Sequence, residues 1–412
     1  WVVGLTFQRA GLAASQPTLP AYRRKSSAAP RFTPGRCAAG RLLQPRAAWG
    51  NHVYLVNGLL ASGTRLALAG FNYIIRDLNI DKDIPQGEID AADIIGISIL
   101  GSPYIPRALR LAKRLRKRGY EGKIFFGGPI LENISQEDWQ KLFVANGLKN
   151  VVAIQHEVDL KIGLGLLKDL PSIYTSSMSK AIEALPEYMK RAYFEKEFCI
   201  FISDGCIFNC TFCGAHKNQK ETFRDAKAFR DEMAKIAEMV LKYAGPNPDY
   251  EIYLSTLDGL QTSETMETTL SIIRDEFDKV GVFVPLRFLA TSRYTSRSLK
   301  ADSNILKRWY KLGVRCIGIG VDGDDEETWN ELRKNHNDRD EIRHALVGIQ
   351  DAGMVPEAFM IFGGPNEKPE ATEKAVNACK NLSKQGVKLR PYFMKLRTPK
   401  QWSKGTPEDA RF

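Results

Sequence analysis

No acidic residue occurs before Asp77, although the first 76 positions hold ten Lys and Arg. Setting that stretch aside leaves 49 basic against 48 acidic residues, so a formal net charge of +11 falls to +1 for the body of the chain. A body so nearly neutral lacks the electrostatic footprint of a nucleic-acid binder. Also missing is any apolar run long enough to cross a bilayer as a helix. Cysteine is scarce and uneven: seven in 412 residues, with none between Cys37 and Cys199. That scarcity excludes a disulfide framework. Three cysteines within eight residues point instead to metal or redox chemistry in a reducing compartment, with the cytoplasm as the expected location and neither nucleic acid nor membrane as a partner.

What is present divides into segments. Residues 1–50, rich in Arg, Ala, Pro and Ser, are expected to form a disordered basic tail, either transit-like or artefactual. Over 51–170, short apolar runs alternate with helical periods. His52–Val56, Asp93–Leu100, Lys123–Gly128 and Asn150–Gln155 read as strands, and Thr64–Asp77 and Pro106–Gly119 as helices. Such alternation implies an α/β domain with a parallel, doubly wound sheet whose ligand lies beyond the carboxyl ends of the strands. Residues 171–195 read as a linker with one helix. A second series fills 196–400, with strands at Phe198–Ser203, Glu251–Leu257, Leu286–Thr291, Cys316–Val321, Val355–Phe362 and Leu389–Met394. Six βα units suggest a partial (β/α)6 barrel, with its chemistry at the carboxyl ends. Residues 401–412 read as a tail. The helix 107–118 carries seven Lys and Arg, which read as a solvated face.

The segment directly after the first barrel strand holds Cys206, Cys210 and Cys213, spaced C-x3-C-x2-C. Three thiolates on one short loop suit three irons of a cubane 4Fe–4S cluster. With no fourth cysteine nearby, one iron stays open, and the amino and carboxylate groups of S-adenosylmethionine are suited to chelate it. The competing reading is a zinc site completed by His216, although a closed site wants four well-placed ligands. Cys199 and Cys316 lie on strands and read as core residues. Cys37 and Cys379 have no assignment.

The triplet, with the aromatic Phe212 before its third cysteine, resembles that of radical S-adenosylmethionine enzymes, and the two-domain order over about 52–400 is similar to the subgroup with an N-terminal cobalamin-binding domain. The resemblance implies a doubly wound Rossmann-like cobalamin-binding domain followed by a TIM-like radical SAM barrel. It places Phe212 near the adenine and offers Ser255, Thr256 and Asp258 to the methionine amino group, although the family's common Gly-Gly-Glu is absent. Arg293 would meet the methionine carboxylate and Asp322 the ribose. Ile361 and Gly363, in a stretch like I-x-G-x-P-x-E, would pack on adenine, although such a stretch is also an ordinary strand-to-helix turn. Ser98, Gly127 and Gly128 resemble the cobalamin cradle, where glycines let the backbone approach a bulky ligand. The motif that supplies a histidine to cobalt is missing. His156 reads as a surface residue, and only Glu157 survives of the subgroup's Gly-Glu-Gly-Glu.

The resemblance further implies reductive cleavage of S-adenosylmethionine and, most commonly, methyl transfer through cobalamin to an unactivated carbon of a small molecule. Cyclisation or rearrangement also occurs in the subgroup, and a catalytically degenerate metal-binding protein is the remaining alternative. An external electron donor such as flavodoxin or ferredoxin is expected. Transfer-RNA methylthiolation is excluded, because it needs three further cysteines and residues 51–198 contain none. Relatives continue beyond the sixth strand into a segment that closes over the substrate, which here would be missing, cut off or supplied by a partner.

Overall fold

The computed structural model describes residues 2–9, 55–101, 104–128, 130–131, 134–166, 169–213, 219–364 and 367–394. Cys37, His52, His216 and the tail 401–412 lie outside the described residues. None of the described helices is long and apolar enough to cross a membrane.

The N-terminal sheet contains β1 (Val2–Arg9), β2 (Phe71–Asp77), β3 (Ile94–Ile99), β4 (Lys123–Gly127) and β5 (Val151–Ala153), in the spatial order β2-β1-β3-β4-β5. Four strands run the same way, and β1 opposes both its neighbours, with Gly4 across from Arg76 on one side and Ile97 on the other. The strands within 71–153 share one direction, as the alternating pattern implied, and β1, from outside that segment, makes the sheet mixed. β1 also corrects the expectation of a disordered tail for residues 2–9. Val2, Val3, Leu5, Thr6 and Phe7 favour strands, and a composition averaged over fifty residues hides so short a run.

A second correction concerns residues 52–77. The helix spans Asn57–Leu68 and Gly70, at φ +86°, turns the chain into β2. Phe71, Tyr73, Ile74 and Ile75 form a strand there, where a helical period was expected to continue to Asp77. Of the strand expected at His52–Val56, the described residues Leu55 and Val56 are irregular.

The two faces of this sheet serve different cores. Ile95, Ile97, Ile99 and Phe126 pack under the helices Ile105–Lys117 and Gln136–Ala145, against Leu109, Leu115, Trp139 and Phe143. Phe125 and Ile75, with Leu60 and Leu66 from Asn57–Leu68, belong to the core that continues into the barrel. Helix Ile105–Lys117 buries Ala108, Leu111 and Ala112 and turns Arg107, Arg110, Lys113 and Lys117 to solvent. That matches the solvated-face reading.

Residues 171–195 are more than a linker with one helix. They form the helices Ser179–Ala184 and Glu187–Phe194 and bury Met178, Ile182, Leu185, Met189, Tyr193 and Phe194. Polar ties cross the junction. The Tyr193 hydroxyl donates to Asp77 at 3.0 Å, and Asn57 Nδ2 donates to the Cys199 carbonyl at 2.8 Å. The buried Arg224–Glu232 pair, 2.8 Å apart, also holds the Ser176 carbonyl and the Met178 amide. Apolar residues at helical spacing cover both domains here, so the segment folds as part of the shared core.

The barrel begins with β6 (Cys199–Phe201), the short hairpin of β7 (Ser203–Asp204) and β8 (Thr222–Phe223), and β9 (Ile252–Ser255). It continues with β10 (Leu286–Ala290), β11 (Val314–Gly320), β12 (Val355–Phe362) and β13 (Lys388–Phe393). Six of these form a parallel sheet in the order β13-β12-β11-β10-β9-β6. The order is sequential, as right-handed βα crossovers produce in a barrel.

Toward the amino ends of the strands the interior is filled. Glu357 is 1% exposed and pairs with Lys388 and Arg390, each at 2.8 Å. Above it the rings of Phe359 and Tyr392 stack at 5.8 Å. Gly318 makes room for them: an added Cβ would lie 2.5 Å from the Phe359 ring and 2.7 Å from Leu289. Cys316 is buried on β11 and Cys199 sits in β6; burial pushes both thiols up to about 12, as suits core residues. A ligand is thereby confined to the carboxyl-end mouth. Gly318→Ala should destabilise the protein by about 1–3 kcal/mol through overpacking, seen as a lower urea midpoint at unchanged slope; an unchanged midpoint would contradict the filled interior.

Candidate active site

The cysteine loop grows out of the β7–β8 hairpin, in which Ser203 pairs with Phe223 and Asp204 with Thr222. Its two ends meet at Gly205. This residue sits at φ +99°, and a Cβ there would lie 2.5 Å from the Lys220 carbonyl oxygen, so only glycine fits. The Gln219 amide donates to the Cys206 carbonyl at 3.1 Å, and the Cys213 amide donates to the Cys210 carbonyl at 3.3 Å.

A distant segment braces the loop. Leu332–Asn337 lies between the helices Glu326–Glu331 and Arg339–Asp351. The Leu332 carbonyl accepts from the Thr211 amide at 3.0 Å. His336 stacks on Phe208 with centroids 3.7 Å apart and planes 15° apart. The Lys334 ammonium lies 5.9 Å from the Phe212 ring centroid. Burial pushes the His336 imidazole down to about 3, with Lys334 and Arg293 adding to the effect, so it is neutral at pH 7. Nothing in the sequence spacing pointed to this segment.

Cys206, Cys210 and Cys213 are half-buried and free of disulfides. Burial, then Asp258 and the other two thiols, push Cys206 up to about 12, so the three cysteines share one electrostatic neighbourhood. Among the described residues no three His, Cys, Asp or Glu side chains converge as a single zinc ion would require. A cubane instead gives each thiolate its own iron, and three neighbouring thiols that do not converge on one point fit that group better.

The expected S-adenosylmethionine residues surround the mouth, and several are already engaged. Ser255 ends β9. Thr256, 3% exposed, donates to Glu221 Oε1 at 2.7 Å. Asp258, fully buried, accepts from the Thr291 amide at 3.0 Å and the Thr291 hydroxyl at 2.7 Å, latching the loop after β9 to that after β10. Burial pushes its carboxyl up to about 6. Arg293 faces Glu341 at 3.5 Å and donates to the Asn335 carbonyl at 3.4 Å. Asp322 takes a left-handed φ of +48° and pairs with Lys334, which also donates to the Gly320 carbonyl at 2.7 Å. Ile361 and Gly363 sit at the end of β12, and Glu367 caps the turn, accepting from the Gly364 amide at 2.9 Å and the Thr372 hydroxyl at 2.6 Å.

Sequence reasoning missed Glu221. Its Oε1 accepts from Ser203 and Thr256, both at 2.7 Å, while Oε2 is buried without a hydrogen-bond partner. Burial, with Asp258 nearby, pushes its carboxyl up to about 7. An acid soon after the third cysteine was visible in the sequence, but only the hairpin shows that it returns to the mouth.

In the N-terminal domain, Ser98 and Gly127 face one another at the carboxyl ends of β3 and β4. A Cβ on Gly127 would meet nothing within 4 Å, whereas one on Gly128, at φ +117°, would collide with the Ile99 backbone. Gly127 thus opens a space and Gly128 makes the turn behind it. His156 is exposed and serves as the N-cap of the helix Glu157–Leu164, so it matches the surface reading. The Glu157 side chain lies outside the described features.

Residues 200–379 match the family described as the radical SAM superfamily. The chain carries a radical SAM domain. That domain implies a 4Fe–4S cluster and S-adenosylmethionine. Among solved structures, the chain is similar to the radical S-adenosylmethionine methyltransferase TsrM from Kitasatospora setae with cobalamin and a 4Fe–4S cluster bound, at 13% identity and a TM-score of 0.58, covering 83% of this chain and 70% of that one. A second TsrM structure, with tryptophan substrate and an aza analogue of S-adenosylmethionine bound, matches at 14% identity and a TM-score of 0.58 over 84% and 72% of the two chains. The cobalamin-dependent S-adenosylmethionine radical enzyme OxsB, with aqua-cobalamin and S-adenosylmethionine bound, also gives 14% and 0.58, over 79% of this chain and 49% of that one. This chain therefore spans about half the length of OxsB. Such identities show the fold: a Rossmann-like domain followed by a radical SAM barrel. No sequence among curated proteins matches the chain.

Two outcomes follow. Replacing Cys206, Cys210 or Cys213 by Ala should abolish iron and sulfide incorporation on anaerobic reconstitution, while Cys199→Ala and Cys316→Ala retain it; equal iron in all five would sink the cluster assignment. Second, the folded state keeps a proton on Glu221 that the unfolded chain releases between about 4.5 and about 7. Across that window the unfolded state binds fewer protons, so this group's contribution to stability falls as pH rises. In urea titrations of the unliganded protein, Glu221→Gln should gain on wild type by on the order of 1–3 kcal/mol from the bottom to the top of the window. A pH-independent difference would refute the buried, unpaired carboxylate.

Proposed function

We propose that this radical SAM enzyme is a cobalamin-dependent methyltransferase acting on an unactivated carbon of a small molecule, with an external reductant such as flavodoxin or ferredoxin. The observation that carries the reading is the cysteine loop at the open mouth of a barrel, joined through one shared core to a Rossmann-like domain whose β3 and β4 end at Ser98 and Gly127, with no described atom within 4 Å of the place a Gly127 side chain would take.

When bound, the cluster and cobalamin supply the electron and the methyl carrier; the hard chemistry is theirs. The chain's own residues position and exclude. Cys206, Cys210 and Cys213 would hold three irons. Phe212, beside Lys334, offers an aromatic face at the mouth. Asp322 keeps one carboxylate oxygen for Lys334 and has the other for a hydroxyl such as that of a ribose. Ser98 and Gly127 would admit a corrin without a protein imidazole at cobalt. Below the mouth, the half-buried Phe359–Tyr392 stack and the Glu357 cluster occupy the barrel interior.

The reconstituted protein, supplied with hydroxocobalamin, reductant and S-adenosylmethionine, should form 5′-deoxyadenosine and S-adenosylhomocysteine. An intact cluster that yields neither would sink the reading and favour a degenerate protein. 5′-Deoxyadenosine without methyl consumption would favour cyclisation or rearrangement instead. Gly127→Phe should abolish the bound-corrin spectrum while leaving iron content unchanged, because its side chain would fill the empty space. Undiminished corrin binding by that variant would place the cofactor elsewhere.

A further inference from the structure

Glu221 is a carboxylate in an unusual position. One oxygen, Oε1, takes the Ser203 and Thr256 hydroxyls. The other, Oε2, is buried and closes no hydrogen bond; the Thr262 hydroxyl also lies within reach of the carboxylate. Among the described residues no Lys, Arg or His pairs with Glu221. A buried acceptor left without a donor is destabilising, more so when charged, and such a group calls for a specific explanation. Among the described residues its charged neighbour is another acid, Asp258, whose own oxygens are taken by Thr291.

The position of this oxygen suggests what it serves. Glu221 directly precedes β8, and its backbone packs against Gly205, the residue before Cys206. The two hydroxyls that orient it come from the ends of the first two barrel strands, Ser203 after β6 and Thr256 after β9. Asp258 lies within electrostatic range of both Cys206 and Glu221, which ties the three to one corner of the mouth. That corner is anionic, half-enclosed and next to the cysteine loop, and among the described residues no Lys, Arg or His forms an ion pair with Glu221 or Asp258.

We infer that Glu221 is the anionic acceptor for the α-amino N–H groups of S-adenosylmethionine in this chain, delivered from the hairpin that carries the cysteines, with Ser203 and Thr256 as positioning residues that fix Oε1 and leave Oε2 for the ligand. The inference rests on the radical SAM reading and deepens it. The absence of Gly-Gly-Glu after β9 then reflects a different strand supplying the acid, and Thr256 acts through Glu221.

The test uses the full chain with its cluster reconstituted, without reductant so that nothing turns over. Equilibrium dialysis compares S-adenosylmethionine with its desamino analogue, in which hydrogen replaces the α-amino group. Wild type should bind S-adenosylmethionine more tightly than the analogue, which loses both the iron chelation and the contact with Glu221. Glu221→Gln should lose about tenfold for S-adenosylmethionine, as removal of a charge-assisted hydrogen bond predicts, and keep its affinity for the analogue within about twofold. If wild type does not distinguish the two ligands, or Glu221→Gln weakens both equally, the assignment is overturned while the radical SAM reading stands. If wild type with an intact cluster binds neither ligand, both fall together. Should Glu221→Gln fail to fold, Thr256→Val, which removes a donor to Oε1, is read the same way: a loss confined to S-adenosylmethionine supports the assignment, and an equal loss for both ligands overturns it.

Discussion

A stack of two rings, Phe208 on His336, anchors the loop that carries all three candidate iron ligands, whose described residues Gly205–Cys213 form no helix or extended strand. The rest of the mouth is arranged around keeping that loop in place. Ordering a loop costs about 1–2 kcal/mol per residue in backbone entropy. The ring pair returns about 0.5–1.5 kcal/mol beyond its buried area, and each hydrogen bond, such as that of the Thr211 amide to Leu332, returns about 1 kcal/mol. These contacts define where the loop lies but do not by themselves offset its entropy. The close approach of Gly205 to Lys220 narrows the problem by joining the loop's two ends through a hairpin. Metal ligation by the three cysteines would supply the remainder, because binding to a site that the unfolded chain lacks is itself folding free energy.

The neutrality of His336 fits that role. A charged imidazole buried beside Lys334 and Arg293 would be destabilised by both cations and by the loss of water. Held neutral, it presents a flat polarisable face to Phe208. Lys334 carries its own countercharge in Asp322 and lies at the side of Phe212. The segment Leu332–Asn337 thus contributes an aromatic stack, a backbone acceptor and a paired cation to one loop, and it does so from beyond the fourth barrel strand. The cysteine loop and the ends of β10 and β11 are thereby held as one unit.

The parts legible in the sequence were those with local signatures. The cysteine spacing is contained in eight residues. The barrel strands are short apolar runs bounded by turn residues, and all six fall where the pattern put them. The solvated helix Ile105–Lys117 announces itself by its period. What was not legible depends on contacts between distant residues. Glu221 is one of many acids until the β7–β8 pairing returns it to the mouth. Lys334, His336 and Asn337 follow a short helix and carry no motif. The helix expected through Asp77 failed because apolar residues in Phe71–Ile75 satisfy either period, and Gly70 decided between them. The segment 171–195 holds Pro171 and Pro186, residues that commonly interrupt helices, but Pro186 starts one here, as the N-cap of Glu187–Phe194.

Comparison of the carboxylates separates structural acids from functional ones. Glu232 is closed by Arg224, Glu357 by Lys388 and Arg390, and Glu276 by Arg230 and Lys279. Asp322 is closed by Lys334 and Asp258 by the amide and hydroxyl of Thr291. Glu341 leaves an oxygen without a hydrogen bond, yet it faces Arg293 at 3.5 Å. Each of these acids has a partner that accounts for its burial. Several of them stand where the family resemblance places cofactor ligands, so a residue's presence at the mouth is weaker evidence of ligation than an oxygen still available there. By that criterion Asp258 serves the frame and Asp322 is half committed. Glu221, which no motif names, is the acid whose second oxygen the fold leaves unspent beside the cysteines.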